Sequence, residues 1–384
     1  MGGMTSGISY KSLAQKYGDF GFPVAEFTIK GKTFSKNKEG FLIENLEIEL
    51  VCGFEASVAE FYIYHCFDQA AGQFLADKLS NYVELGAEIF ISIGYLRELT
   101  EVFRGAVVGM EYGYENGDLP FVKVTAMDIK GVMMANCYSM QLKSRSYGEA
   151  VREILSKPAY TKLASDLKVS DTPDKKQKDD KASSYTVEMT AESDYEFVVK
   201  AAKRFHYEFY VERGTVYFRK AKSRTEILTE LGIGQGLVSF HIGYSLTGLV
   251  ETVEARSVDV GTGKMMSASG KRDGKLSPGN QAVKLLKKSR MVYLDASAVS
   301  QEQLNARSEY LLETMGYRFG ELQCECVGIP DLMPGRFIRV TGLGEVVSNR
   351  FYITKVVHRF GEQGYGTTLT GSIDRLEESL PGGF

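Results

Sequence analysis

ESDYEFVVKAAKRFHYEFYVERGTVYFRK, residues 192–220, changes its hydrophobic period once and so announces two kinds of element in a row. Ser193 and Glu196 have the S-x-x-E spacing of a capping box, in which each side chain satisfies a backbone N–H of the other. Asp194 adds a negative charge to the first turn, where it suits the helix dipole. Phe197, Val198, Ala201, Ala202 and Phe205 then share one face at helical spacing. After His206 the period falls to two: Tyr207, Phe209 and Val211 take one side of a strand, and Glu208, Tyr210 and Glu212 the other. Arg213-Gly214 turns the chain, and Val216 and Phe218 alternate on the return strand. The stretch predicts a capped helix feeding a hairpin, with no obvious chemistry in it.

Composition bounds the rest. A chain of 384 residues has room for about two to three domains. With 43% hydrophobic and 25% charged residues it can bury a large core. A net charge of −3 argues against a dedicated nucleic-acid ligand, which calls for a basic stripe. The five cysteines (Cys52, Cys66, Cys137, Cys324, Cys326) are too few and scattered for a disulfide framework, which points to a reducing compartment during synthesis. The N-terminus lacks the basic and apolar regions of a signal peptide, and no apolar run is long enough to span a membrane. Forty glycines, eight prolines and 22 each of Tyr and Phe fit short strands joined by tight turns.

Outward from the opening stretch, residues 20–134 read as mostly strands. The stretch 46–50 alternates cleanly, 61–67, 88–95 and 101–110 follow as strands, and 68–85 holds a short helix with Phe74, Leu75 and Leu79 as its apolar stripe. Residues 112–123 form a hairpin tipped by Glu115-Asn116-Gly117-Asp118. An antiparallel barrel or sandwich is the natural architecture. Ser146 and Glu149 form a second capping box, with Pro158 marking that helix's end. Residues 169–184 are a polar, charge-dense loop, and 185–189 a strand. Beyond 223 the chain is again strand-rich (237–242, 248–258, 321–327, 336–340, 350–359, 367–371), with a helix at 300–315. Residues 261–290, rich in Gly, Lys and Ser, read as a long exposed loop that stays poorly ordered until a partner meets it.

Candidate chemistry is weak at every place where it could sit. Cys324-Glu325-Cys326 puts two thiols on one strand face, but nothing nearby completes zinc-site spacing, so two small buried hydrophobes is the better reading. His65, His206, His241 and His358 are isolated, and no G-x-S-x-G motif exists. His358 ends an apolar strand and calls for a structural hydrogen bond. Gly232-Ile233-Gly234-Gln235-Gly236 and Gly261-Thr262-Gly263-Lys264 match no phosphate-loop pattern and read as turns. A carboxylate pair for glycoside hydrolysis stays open, although tryptophan is absent. Lys284, Lys287 and Lys288 read as a solvated surface, with a polyanion site second. The expectation is therefore no catalytic residue, no cofactor and no metal.

Three blocks in order carry a resemblance. The stretch Ser193–Phe218 resembles the late-control-protein-D family of phage tail hubs and the hub part of VgrG proteins. Phe103-Arg104-Gly105 with 122–128 is similar to the end of that family's first barrel. Gly328 to Gly335, then 351–358 and 364–367, are similar to its second barrel. The resemblance covers about residues 20–375. It implies a mainly β fold: two tail-tube-like antiparallel β-barrels flanking a small α+β module. The expected division is an N-terminal arm (1–19), a first barrel (20–135), an insert (136–222), a second barrel with the loop and the 300–315 helix (223–376), and a tail (377–384). It further implies a homotrimeric baseplate hub of a contractile phage tail, tailocin or injection particle. The pseudo-six-fold ring of such a hub joins the tail tube protein to a three-fold spike. Because the sequence stops soon after the second barrel, the spike is expected to be a separate protein. Other baseplate proteins and the tape measure are further expected partners, with no membrane among them. Synthesis in the bacterial cytoplasm is expected. The rival readings are a peptidoglycan-binding module and a muramidase-type hydrolase.

Overall fold

The computed structural model describes residues 7–35, 37–38, 40–96, 98–174, 187–259, 262–298 and 300–377. Ser9 caps the first helix, α1 (Tyr10–Lys16), through the Ser12 N–H. Leu13 and Tyr17 are buried in the main core, so the arm is docked on the body. The first barrel follows from strands that alternate buried and open positions: β1 (Pro23–Ile29), β2 (Lys32–Ser35), β3 (Asn37–Lys38), β4 (Phe41–Val51) and β5 (Val58–Tyr64). Two short strands, β6 (Phe67–Asp68) and β7 (Gln73–Phe74), lead into α2 (Ala76–Ser80). Then come β8 (Glu88–Tyr95), β9 (Glu98–Gly113) and β10 (Phe121–Met127). The helix expected over 68–85 is only this one turn. Phe74 lies before it and Leu79 is its buried residue.

Asp128 caps α3 (Ile129–Met133), which leaves the barrel for the insert. The insert comprises β11 (Tyr138–Gln141), α4 (Tyr147–Leu155), α5 (Pro158–Thr161), β12 (Asp166–Val169), β13 (Glu188–Glu192), α6 (Asp194–Phe205), β14 (Tyr207–Glu212) and β15 (Thr215–Lys220). Pro158 opens α5 at its first position, where a missing N–H costs nothing, and α4 has already ended at Leu155. The Ser146 cap is half a box: its hydroxyl accepts from Glu149 N–H, but the Glu149 carboxylate accepts from Arg145 N–H. The opening stretch folds as expected, with both halves of the Ser193–Glu196 box formed and His206 closing the helix in the left-handed region. Most of the polar loop 169–184, and the first two residues of the strand expected at 185–189, lie outside the described residues.

The third region contains β16 (Ile227–Ile233), β17 (Gly236–Tyr244), β18 (Thr252–Val258), β19 (Met265–Lys271), α7 (Gln281–Leu286), β20 (Arg290–Leu294), α8 (Gln301–Gly316), β21 (Gly320–Val327), β22 (Phe337–Val340), β23 (Arg350–Gly361) and β24 (Gly364–Ile373). The loop reading of 261–290 is corrected here, because β19 and α7 fall inside it. β18 sits between β19 and β20 in a three-stranded sheet, and α8 covers one face. Small residues let the helix approach: a Cβ on Gly270 would stand 3.3 Å from the Ser308 carbonyl oxygen and from Leu312. The small residues facing α8 are Ala268 and Gly270, whereas Ser267 and Ser269 are exposed on the opposite face, so the inward side of β19 is too small to read as an apolar stripe.

Strand pairing runs β2-β1-β8-β9-β10-β5-β4-β23-β22-β16-β17-β21-β24, and β24 returns to β23. The second barrel is thus a closed ring of six strands. The first is completed by β3, which follows β2 in the chain and pairs with β4. Within this sheet pairing is antiparallel except around β16, which runs parallel to β22 and β17; outside it β12–β15 and β18–β20 are also parallel. The fold is mainly β, with two barrels and an α+β insert. One apolar core fills both barrels, from Phe27, Phe61 and Ile91 to Ile338, Val356 and Leu369, and the insert has a second core around Phe197, Phe209 and Phe218.

Candidate functional site

β4 and β23 belong to different barrels yet pair with each other over six consecutive positions. Leu50 faces Val356, Ile48 faces His358 and Leu46 faces Phe360. Opposed residues in a ladder point the same way, so both barrel interiors lie on one side of the shared sheet. The other side is a largely polar wall around the seam, with Val357 buried in it and the Tyr62, Tyr64 and Phe121 rings packed together on the first-barrel side. One row across it runs Thr125, Glu60, Glu47, Arg359, and another runs Glu49, Val357, Thr368, Glu325, Ser239. Ion pairs lace it: Lys355–Glu49 at 2.6 Å and Arg359–Glu47 at 2.9 Å cross the seam, and Lys123–Glu60 at 3.0 Å lies beside it. Exposed pairs of this kind contribute only ~0–1 kcal/mol each.

Three buried polar clusters fix what surrounds it. Asp331 accepts from the Tyr17 hydroxyl (2.7 Å), Lys16 Nζ (3.1 Å) and Arg213 Nη2 (3.0 Å), tying α1, the β14–β15 turn and the second barrel together. Burial pushes its carboxyl up, but these bonds outweigh burial and hold it below the usual range. Glu208 accepts from Arg219 Nε (2.7 Å) and the Tyr352 hydroxyl (2.5 Å), and Arg219 donates on to the Gly335 carbonyl (3.2 Å). The Glu208–Tyr210 face of β14 is therefore the dock between insert and second barrel. Gly335 must be glycine there, since its φ is 77° and a Cβ would meet the Tyr210 ring at 2.5 Å. Asp194 receives Tyr138 and Tyr160 hydroxyls at 2.5 Å and Lys157 Nζ at 2.8 Å, which overcome burial and hold its carboxyl low. Lys130, fully buried, reaches the Gly53 carbonyl at 3.2 Å, and burial lowers its ammonium pKa.

The residues weighed for chemistry are not brought together. Cys324 and Cys326 are buried inside the second barrel, and burial pushes the Cys324 thiol up to about 12. His65 and His241 are exposed and far apart in the fold. His206 stacks on Tyr310 at 3.7 Å between ring centroids. His358 is sealed in the seam, where Nδ1 meets the Tyr365 hydroxyl at 2.8 Å and Thr367 Oγ1 at 3.2 Å. Burial pushes its imidazole down to about 3. Gly234 and Gly236 have positive φ in the tight β16–β17 turn, and Gly263 in the β18–β19 turn. Lys284, Lys287 and Lys288 are exposed around the end of α7. Among the described residues no group of three or more His, Cys, Asp or Glu is placed to hold a metal, and no helix is long and apolar enough to cross a membrane. Sequence reading missed Asp331, Asp194, Glu208 and Lys130. A carboxylate beside Pro330 (Ile329-Pro330-Asp331-Leu332) in an apolar run was the available signal for the first.

Comparison with known proteins fits the fold. A family model described as Alg8 N-terminal domain matches residues 58–362. No curated protein matches. Among solved structures, the prophage MuSo2 43 kDa tail protein from Shewanella oneidensis aligns at TM-score 0.65 and 11% identity, over 91% of this chain and 98% of that one. A tail protein from Neisseria meningitidis aligns at TM-score 0.65 and 12% identity, over 92% and 97%. An E. coli component of the type VI secretion system, described as similar to bacteriophage T4 tail proteins, aligns at TM-score 0.51 and 13% identity, over 92% and 79%. The fold is that of phage tail proteins and their secretion-system counterparts.

Proposed function

The chain belongs to the Alg8 N-terminal domain family, and we propose that it works as a structural baseplate hub: three copies form a pseudo-six-fold ring between a six-fold tail tube and a three-fold spike. The observation that carries this reading is the shared sheet. Two barrels joined edge to edge, with their cores on one side and a largely polar wall on the other, make a unit that supplies two of six wall segments. Three such units close a channel lined by the wall residues, including Glu47, Glu49, Glu60, Glu325 and Arg359. The buried clusters serve rigidity, holding the arm and insert against the barrels, and the reading assigns no reaction, cofactor or metal to the chain. Its partners on this reading are the tube protein, a spike and neighbouring baseplate proteins, with the tape measure a further candidate.

The test is direct. The purified chain, alone and mixed with a candidate spike protein, is expected to give a ring of three copies by light scattering and electron microscopy. Monomers alone, at every ratio and concentration, would overturn the reading. Loss of cell-wall turbidity caused by the chain alone would favour the hydrolase instead.

A further inference from the structure

Among the described residues, the sheet of β18, β19 and β20 is covered by α8 on one face and by no helix on the other. Register fixes the other face: Val258 lies opposite Met265, Arg256 opposite Leu294, and Glu254 opposite Val292. Leu294 is 76% exposed, Met265 66%, Val258 56% and Val292 46%. Four large apolar side chains on one uncovered sheet face are unusual for a finished surface. Their setting is basic. Residues 251–295, which span the sheet and α7, hold nine Lys and Arg against five Asp and Glu, in a chain of net charge −3. The rest of the chain is therefore net −7. Arg256 and Arg290 flank the face, each paired with the buried Glu254.

A surface of opposite character stands on the first barrel. The β9–β10 hairpin carries Glu111, Glu115 and Asp118 and has no Lys or Arg between residues 105 and 122. Its tip exposes Tyr114 (63%) and Leu119 (46%). It too is acidic and apolar where the other is basic and apolar. Gly117, with φ 93°, and the Asp118 N–H bond to the Glu115 carbonyl fix its shape before any contact.

We infer that the uncovered face of the β18–β20 sheet receives the acidic β9–β10 hairpin of a second copy of this chain. The contact is heterologous, joining two different patches, so it repeats from copy to copy and closes when the rotation permits. Apolar side chains supply the buried area, and the charges steer and orient the approach. The inference rests on the ring reading above and names the surfaces through which the ring forms. It also explains why a compact sheet is built with one apolar face unpaired.

Complementation tests it with the full chain. Leu294→Glu puts a carboxylate into the receiving face, and Tyr114→Lys removes the hairpin's apolar anchor and cancels part of its negative charge. Both sites are on the surface, and an unchanged Tm verifies folding. If Leu294→Glu lowers Tm, Met265→Glu takes its place. Light scattering is expected to show wild-type association that weakens with salt, and each variant alone is expected to associate about tenfold or more weakly. An equimolar mixture of the two variants, which retains one intact contact per pair, is expected to stop at dimers. Wild-type rings left unchanged by both variants would overturn this contact and leave the ring reading standing. A wild-type chain that is monomeric alone but rings with the spike would also overturn it, and again spare that reading. Flotation with phosphatidylserine vesicles, lost in Leu294→Glu, would assign the face to a membrane and refute the self-contact.

Discussion

His358 shows what a single residue can report. In the folded chain burial holds its imidazole neutral down to about pH 3, whereas in the unfolded chain it protonates near its ordinary value of 6.5. The unfolded state therefore binds the extra proton between these limits, and stability falls as pH drops below about 6.5. The slope is ~1.4 kcal/mol per pH unit from this residue. His358→Asn, measured by denaturant unfolding from neutral to mildly acid pH, is expected to lose about one proton's worth of that slope. An unchanged slope would show that His358 does not titrate on unfolding. Asp194 makes the complementary case, because its depressed pKa contributes stability above its unfolded value that is lost only in strong acid. Asp194→Ala strands two tyrosine hydroxyls and Lys157, and is expected to cost about 2–3 kcal/mol at neutral pH by thermal or urea unfolding. Legibility at this scale was poor for a physical reason. Asp194 reads locally as a first-turn charge, but its partners lie 34 to 58 residues upstream. No local pattern records such distances, and the same holds for Asp331, whose partner Tyr17 is 314 residues away.

Elements were far easier to read. The capped helix and hairpin of 192–220 came out with the expected cap and turn, because their determinants are all within a few residues of one another. Ser193→Ala is expected to cost about 1 kcal/mol in thermal unfolding. The one large misreading, 261–290, came from composition standing in for pattern. Met265-Met-Ser-Ala-Ser-Gly-Lys271 does alternate, with Ala268 and Gly270 facing α8, but its inward residues are too small to register as a hydrophobic stripe. The alternation of β14 was legible, whereas the burial of its Glu208–Tyr210 face was not, since that depends on a strand more than a hundred residues away. The seam is the most exacting element. Val357 lies in a strand paired on both sides, to Glu49 and to Thr368. Val357→Pro is expected to destabilise the chain by ~3 kcal/mol or more, with loss of soluble protein as the first sign.

For the whole molecule, the decisive fact is that one core and one sheet run through both barrels. The barrels should not melt separately. Calorimetry is expected to show them in a single transition, with the insert either joining it or preceding it, and two well-separated barrel transitions would contradict the shared core. The seam also restricts how such a molecule can change over time. Side chains alternate sides with every residue, so sliding β23 by one position against β4 would turn Val356 and His358 outward and bury charge. The angle and offset between the barrels can therefore move only in double steps of about 7 Å, never gradually. Relatives built this way should fall into a few discrete barrel-to-barrel geometries, each set by a count of residues along one strand.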